Sequence, residues 1–138
     1  MSTRKIYLNL FNLYMFKGIH YIYDFTNIQT TNVELYQKKI NIILDKIIKE
    51  SELNQIDKSE NLFDGISSPP GFANVRVLDE SHISAHSYSE QGILAIDIFT
   101  CGNLKNGIKA GELCKKYILE NFKDAIIKNE QIINRFPI

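Results

Sequence analysis

The sequence predicts an α+β protein, a two-layer sandwich in which a mostly antiparallel sheet carries two helices on one face. Two stretches, Asn32 to Glu50 and Asn103 to Phe122, place apolar residues at helical spacing. Around and between them lie runs rich in β-branched and aromatic residues. Two of these runs are joined by the short turn Ser89-Glu90-Gln91-Gly92, as an antiparallel pair requires.

The N-terminus, MSTRKIYLNLFNLYMFKG, has a basic start followed by apolar residues. Asn9, Asn12 and Lys17 interrupt the apolar part and no small-residue cleavage site follows, so a first strand or an N-terminal extension over 1–17 is expected rather than an export signal. The first clear strand is IHYIYDFT, Ile19 to Thr26. Thr31-Asn-Val-Glu34 has the form of a capping box. Val33, Tyr36, Ile40, Ile43, Leu44, Ile47 and Ile48 then make the apolar stripe of a helix.

The polar, turn-rich segment from Ser51 to Gly71 reads as a loop, ended by Pro69-Pro70-Gly71. FANVRVLDE, HISAHSY and GILAIDIFTC read as three strands. A second helix follows, with Leu104, Ile108, Gly111, Tyr117, Ile118 and Phe122 inward, and AIIKNEQIINRF closes the chain as a strand. The expected order is β-α-β-β-β-α-β in a single domain over 1–138. Helices on one face leave the other uncovered, and a second subunit would cover it.

Lysine plus arginine equals aspartate plus glutamate, 16 each, so the charge carries no footprint for nucleic acid or for an anionic membrane. No apolar run is long enough to span a bilayer. Cys101 and Cys114 make no disulfide framework, and a reducing cytoplasm is expected.

The chemistry concentrates in LDESHISAHSYSEQGILAIDIFTCGN, Leu78 to Asn103. Strand alternation puts His82, Ser84, His86 and Tyr88 on one face. The plain reading is the solvated face of a hairpin. Three chemistries compete with it. A zinc site of His82, His86 and Cys101 matches no common ligand spacing, and no metal is expected. A Ser/His or Cys/His hydrolase lacks the Gly-x-Ser-x-Gly elbow. Backbone self-cleavage needs an acyl group beside a serine hydroxyl, a nearby base and a well-positioned turn. Glu80-Ser81 with His86 close by meets the first two needs.

Glu80-Ser81-His82, His86 five residues after the serine, Glu90, and Asp97-Ile-Phe-Thr-Cys-Gly102 with Cys101 twenty residues after the serine resemble the bacterial and archaeal S-adenosylmethionine decarboxylases. Gly18-Ile-His20 resembles the family's Gly-basic-His start, so the resemblance runs from Gly18 to Gly102. It implies that Ser81 Oγ attacks the Glu80 carbonyl and that the resulting ester is eliminated. That leaves a β chain, 1–80, and an α chain, 81–138, headed by a pyruvoyl group made from Ser81. It further implies that His86 is the processing base and that the pyruvoyl takes the substrate's amine as a Schiff base. Cys101 is then the proton donor, and Glu90 binds the ribose hydroxyls. Tyr88 stacks on a ligand ring or covers the sheet, His82 shapes the site, His20 is foremost a strand residue and secondarily a pocket-lining one, and Cys114 packs.

The sequence departs from the family pattern in several places. Ala73 stands eight residues before Ser81 where the family has a serine that assists processing, with Asn74 beside it. Ser67 stands where an aromatic stacks on adenine, and Phe63 or Phe72 substitutes with a shift. The usual proline before Glu90 is absent, and Asp79 adds an acid. The expected function is therefore decarboxylation of S-adenosylmethionine, a small-molecule substrate, for spermidine synthesis by a homodimer. The alternatives are an ornithine or arginine decarboxylase, with Asp79 or Glu90 pairing the distal cation, and an unprocessed partner subunit.

Overall fold

Alternation in Gly18–Thr26 sorts its side chains into two sets, and the structure, a computed structural model describing residues 17–136, gives each set a face. Tyr21, Tyr23 and Phe25 of this strand, β1, are buried beneath the helices, while His20, Ile22 and Asp24 turn to the other face and stay half-buried. The expectation for residues 1–17 lies outside the described residues except at Lys17.

Helix α1 (Val33–Glu50) buries Tyr36, Ile40, Ile43, Leu44, Ile47 and Ile48, the stripe its periodicity predicts. Its cap is Asn32 rather than Thr31: the Asn32 Oδ1 accepts the Leu35 N–H at 3.0 Å. The segment expected to be a loop contains a further strand, β2 (Gln55–Phe63), so the order is β-α-β-β-β-β-α-β. β2 is an edge strand with every residue exposed, and nothing selects the apolar alternation by which strands are recognised. Its ladder partner is β3 (Gly71–Leu78), with a bulge at Ile56.

The remaining elements match their sequence patterns: β4 (Ser81–Tyr88), a single 3₁₀ turn over Ser89–Gln91, β5 (Ile93–Cys101), α2 (Leu104–Asn121) and β6 (Ile126–Arg135). Strand β3 ends at Leu78, and Asp79-Glu80 form the turn into β4. The six strands lie in the order β2-β3-β4-β5-β1-β6, every pair antiparallel. β1 therefore lies between two strands that come much later in the chain.

Helix α2 sits close to β1 because Gly111 faces Tyr21; a Cβ there would stand 2.4 Å from the ring. The Tyr23 hydroxyl donates to the Gly111 carbonyl at 3.0 Å. On the α1 side, the guanidinium of Arg76 is almost wholly buried. It donates to Asp45 at 2.6 Å, to Asn41 at 3.0 Å and to Gln55 and Glu60 at 3.3 Å, tying α1 and β2 to β3. Its two terminal nitrogens are thus partnered by two carboxylates and two amides, which lets the buried charge persist, while its Nε has no partner among the described residues.

Both helices pack on the same face. The opposite face carries Ile22, Val75, Val77, Ile93, Ala95 and Phe99 among its polar groups, and no described segment covers it.

Candidate active site

Local backbone geometry comes first. Glu80 has φ of 56°, the left-handed region that costs an L-residue other than glycine about 1–2 kcal/mol. The strained residue is the one whose carbonyl precedes Ser81. The β4–β5 register pairs His82 with Phe99, which brings Ser81 beside the end of β5. There the Cys101 backbone N–H donates to Ser81 Oγ at 3.1 Å. That bond favours negative charge on Oγ and ties it to the end of β5.

The Cys101 side chain is half-buried and on the open face. Burial pushes its thiol above the usual range, the Glu80 carboxylate pushes the same way, and Arg135 pulls it down. A thiol kept protonated at neutral pH has the form a proton donor needs. Cys114 differs: it is fully buried in α2, burial alone pushes it up to about 12, and it packs as the sequence suggests.

One residue at the centre of this face stands in the Asp97–Gly102 motif but is given no role by the sequence alone. Asp97 Oδ1 lies 3.0 Å from His20 Nε2 and 3.2 Å from His82 Nε2, while Oδ2 accepts the Ser84 hydroxyl. Burial raises the Asp97 pKa, but the Ser84 and His20 hydrogen bonds and the charges of His82 and His20 outweigh it, and the carboxyl sits below its ordinary value. An ionised carboxylate only accepts, so both imidazoles present Nε2–H to it. The signal was available: Asp97 is the one acid in an otherwise apolar strand, with the parity of Phe99 and Cys101. His20, read as a strand residue, belongs to the same cluster.

His86, Tyr88 and Glu90 occupy the other end of the sheet. Along an extended strand, the five residues from Ser81 to His86 span about 16 Å, so one subunit does not bring the two together. His86 pairs with Ala73, and Asn74 points the other way, donating to Asn41 at 2.7 Å beneath α1. At this end, Phe63, Pro69, Pro70, Phe72, His86 and Tyr88 help line a pocket of about 230 Å³. Phe72 is buried against Tyr36, ring centres 4.8 Å apart, whereas Phe63 is partly exposed. Glu90 is exposed on the 3₁₀ turn. Asp79, in the turn at the Ser81 end, accepts from the Asn54 amide at 2.7 Å. Among the described residues, no group of three or more histidine, cysteine, aspartate or glutamate side chains is placed to hold a metal ion. No helix among them is long and apolar enough to cross a membrane.

These residues fit a pyruvoyl group derived from Ser81: a strained acyl donor, a hydroxyl held by a backbone N–H, and a protonated thiol on the neighbouring strand. Such a group supplies an electrophilic carbonyl that draws electrons from a substrate's α-carbon as carbon dioxide leaves. Fold and site together define a pyruvoyl-dependent carboxy-lyase.

Comparison with known proteins narrows this. The family model for S-adenosylmethionine decarboxylase matches residues 19–133. The S-adenosylmethionine decarboxylase proenzyme of Sulfurihydrogenibium sp. (strain YO3AOP1) is 30% identical over 118 residues, covering 86% of this chain and 81% of the relative. That of Thermoplasma volcanium is 29% identical over 116 residues, covering 84% and 82%. The crystal structure of the adenosylmethionine decarboxylase from Aquifex aeolicus VF5 superposes with a TM-score of 0.66 at 25% identity, covering 90% of this chain and 94% of that one. The chain belongs to the S-adenosylmethionine decarboxylase family.

Proposed function

We propose that this chain cleaves itself between Glu80 and Ser81 and then decarboxylates S-adenosylmethionine in the cytoplasm, as a face-to-face homodimer. The observation that carries the reading is the meeting of the strained Glu80, the Ser81 hydroxyl and Cys101 at one end of β4 and β5. Ser81 Oγ adds to the Glu80 carbonyl carbon, and the amide nitrogen leaves as a free amine, giving an ester. Removal of the Ser81 α-proton expels the Glu80 carboxylate. The enamine left on residue 81 hydrolyses, releases ammonia and becomes the pyruvoyl group. Cys101 later protonates the α-carbon of the substrate.

The homodimer follows from the open face and from the distance between Ser81 and His86. A two-fold axis lying between two such faces and running across their strands sets the His86 end of one sheet on the Ser81 end of the other. His86, Tyr88 and Glu90 of the partner subunit then complete each site, with His86 as the processing base. The pocket at Phe63 and Tyr88 offers ring faces for adenine, and Glu90 lies nearby for the ribose hydroxyls.

Ornithine or arginine is not favoured: the relatives are named for S-adenosylmethionine, and the Asp79 carboxylate already accepts from Asn54. An unprocessed partner subunit is not favoured either, since Ser81 and Cys101 are both present and in contact.

Two experiments test the proposal. Purified protein is assayed with S-adenosylmethionine, ornithine and arginine side by side; turnover of either amino acid without turnover of S-adenosylmethionine sinks the substrate assignment. Ser81→Ala and His86→Ala chains, each expected to remain uncut alone, are then produced together. If the base comes from the partner, about half of the Ser81-bearing chains should be cut, since about half sit in mixed dimers. No cleavage in the mixture would return the base to the same subunit or to another residue.

A further inference from the structure

Cys101, Gly18 and Arg135 form one row across three neighbouring strands: Gly18 of β1 pairs with Cys101 of β5 on one side and with Arg135 of β6 on the other. All three belong to the open face. Gly18 has no side chain, and a Cβ there would stand 3.1 Å from Arg135 Cβ and 3.2 Å from the rings of Phe99 and Phe136. The space above Gly18 is taken by the edges of the Phe99 and Phe136 rings, and the Arg135 guanidinium lies against Phe99 of β5, the strand that also carries Cys101.

The guanidinium is held without being consumed. Its Cζ lies 4.9 Å from the centre of the Phe99 ring and 5.8 Å from that of Phe136. Stacking of this kind fixes the plane of the group and leaves its N–H donors pointing outward. No carboxylate among the described residues pairs with it. Its charge nevertheless reaches the Cys101 thiol, whose pKa it lowers against burial and Glu80. Arg135 also lies past the residues 19–133 that the family model matches.

We propose that Arg135 receives the carboxylate at the amino-acid end of the substrate, holding it beside Cys101. This rests on the decarboxylase reading above. The substrate's amine engages residue 81 and Cys101 faces the α-carbon, so the carboxylate on that same carbon projects along the row toward Arg135. The fork of the guanidinium matches the two oxygens of a carboxylate. That charge disappears as neutral carbon dioxide forms, so Arg135 holds the bound substrate more tightly than the transition state. Its removal therefore raises KM without lowering kcat.

The test uses processed wild type, Arg135→Met and Arg135→Lys. Calorimetry measures binding of two ligands that cannot turn over: the decarboxylated product, and a substrate analogue that keeps the carboxylate but lacks the α-amine. In Arg135→Met the analogue should bind about tenfold more weakly while the product binds within about twofold of wild type. Arg135→Lys should fall between. Self-cleavage on a denaturing gel and the thermal midpoint should match wild type. Equal weakening of both ligands would make the effect structural and overturn the proposal, as would unchanged binding of the analogue. A lowered midpoint with binding intact would assign Arg135 to another anion, such as the new Glu80 terminus, and overturn it too. Wild type that binds neither ligand would count against the decarboxylase reading, a result distinct from all of these.

Discussion

Glycine at position 80 should slow the protein's self-cleavage. Glu80 stands at φ of 56°, and on the proposed path its carbonyl is the one that Ser81 Oγ attacks. The left-handed conformation costs an ordinary L-residue about 1–2 kcal/mol, which the precursor carries and the cleaved product is free to release. Glycine adopts the same conformation without that cost. If the strain lies fully on the path to the ester, Glu80→Gly removes 1.36 kcal/mol per tenfold, a slowing of about 5- to 30-fold. Asparagine, which tolerates this region better than glutamate does, should fall between. Glu80→Gln keeps the strain and removes only the charge, so it should cleave near the wild-type rate. The rate is read from a time course of fresh precursor on a denaturing gel. A second reading comes from the uncleavable Ser81→Ala background. There Glu80→Gly should raise the thermal midpoint, because relief of strain exceeds the roughly 0.5–1 kcal/mol that glycine's extra chain entropy costs. A glycine variant that cleaves as fast as wild type, with a glutamine variant that cleaves slowly, would show that the carboxylate and not the backbone matters. An unchanged midpoint in the uncleavable pair would refute the strain argument directly.

Three further outcomes follow from the same geometry. Cys101→Ala should still cleave itself but turn over slowly; in wild type the alkaline loss of turnover should lie above the ordinary thiol range, and Glu80→Gln should bring it down, because the Glu80 charge is part of what holds the thiol protonated. Asp97 has a depressed pKa, so its contribution to stability is present above the ordinary aspartate value and is lost as pH falls through the lower folded value. Asp97→Asn should flatten the acid side of the stability–pH curve, measured by thermal melts, and identical acid limbs would contradict the assignment. Gly111→Ala should cost about 1–3 kcal/mol, a drop of several degrees in the midpoint, because its methyl would meet the Tyr21 ring at 2.4 Å; a wild-type melt would show that α2 slides without penalty.

The sequence made most of the fold readable because most of the elements are half-buried. Tyr21, Tyr23 and Phe25 recur at every second position and Ile40, Ile43, Leu44 and Ile47 recur by turns, because one face of each element meets the core. β2 had no such constraint. It hydrogen-bonds along one side, exposes both faces and so reads as a loop. The site shows the same division. Parity placed His82, Ser84, His86 and Tyr88 on one face, and the Ser81–Cys101 contact follows from two strands and a short turn. Proximity in sequence misled where extension mattered: His86 is five residues from Ser81, and a strand turns that into a long distance. The roles of Asp97 and Arg135 stayed hidden because each acquires a neighbour from a strand distant in sequence, His20 of β1 for one and Gly18 of β1 and Phe99 of β5 for the other.

The strand order has a consequence for what the molecule becomes once it is cut. A break between Glu80 and Ser81 assigns β1, α1, β2 and β3 to one polypeptide and β4, β5, α2 and β6 to the other. β1 would then be clasped on both sides by strands of the second polypeptide, and β3 would be bonded to β4 across the break. The two pieces would interleave like folded hands. They would have formed this arrangement as one tether, with each strand delivered to its neighbours at high local concentration. Once nicked and denatured they would have to find each other by diffusion, and a lone first piece would offer β1 with neither partner. The finished protein would thus be a heirloom of its precursor, persisting because it opens slowly and recovering poorly once it has opened. Dilution should make that loss worse, whereas the intact Ser81→Ala chain should refold at any concentration that permits the subunit itself to form.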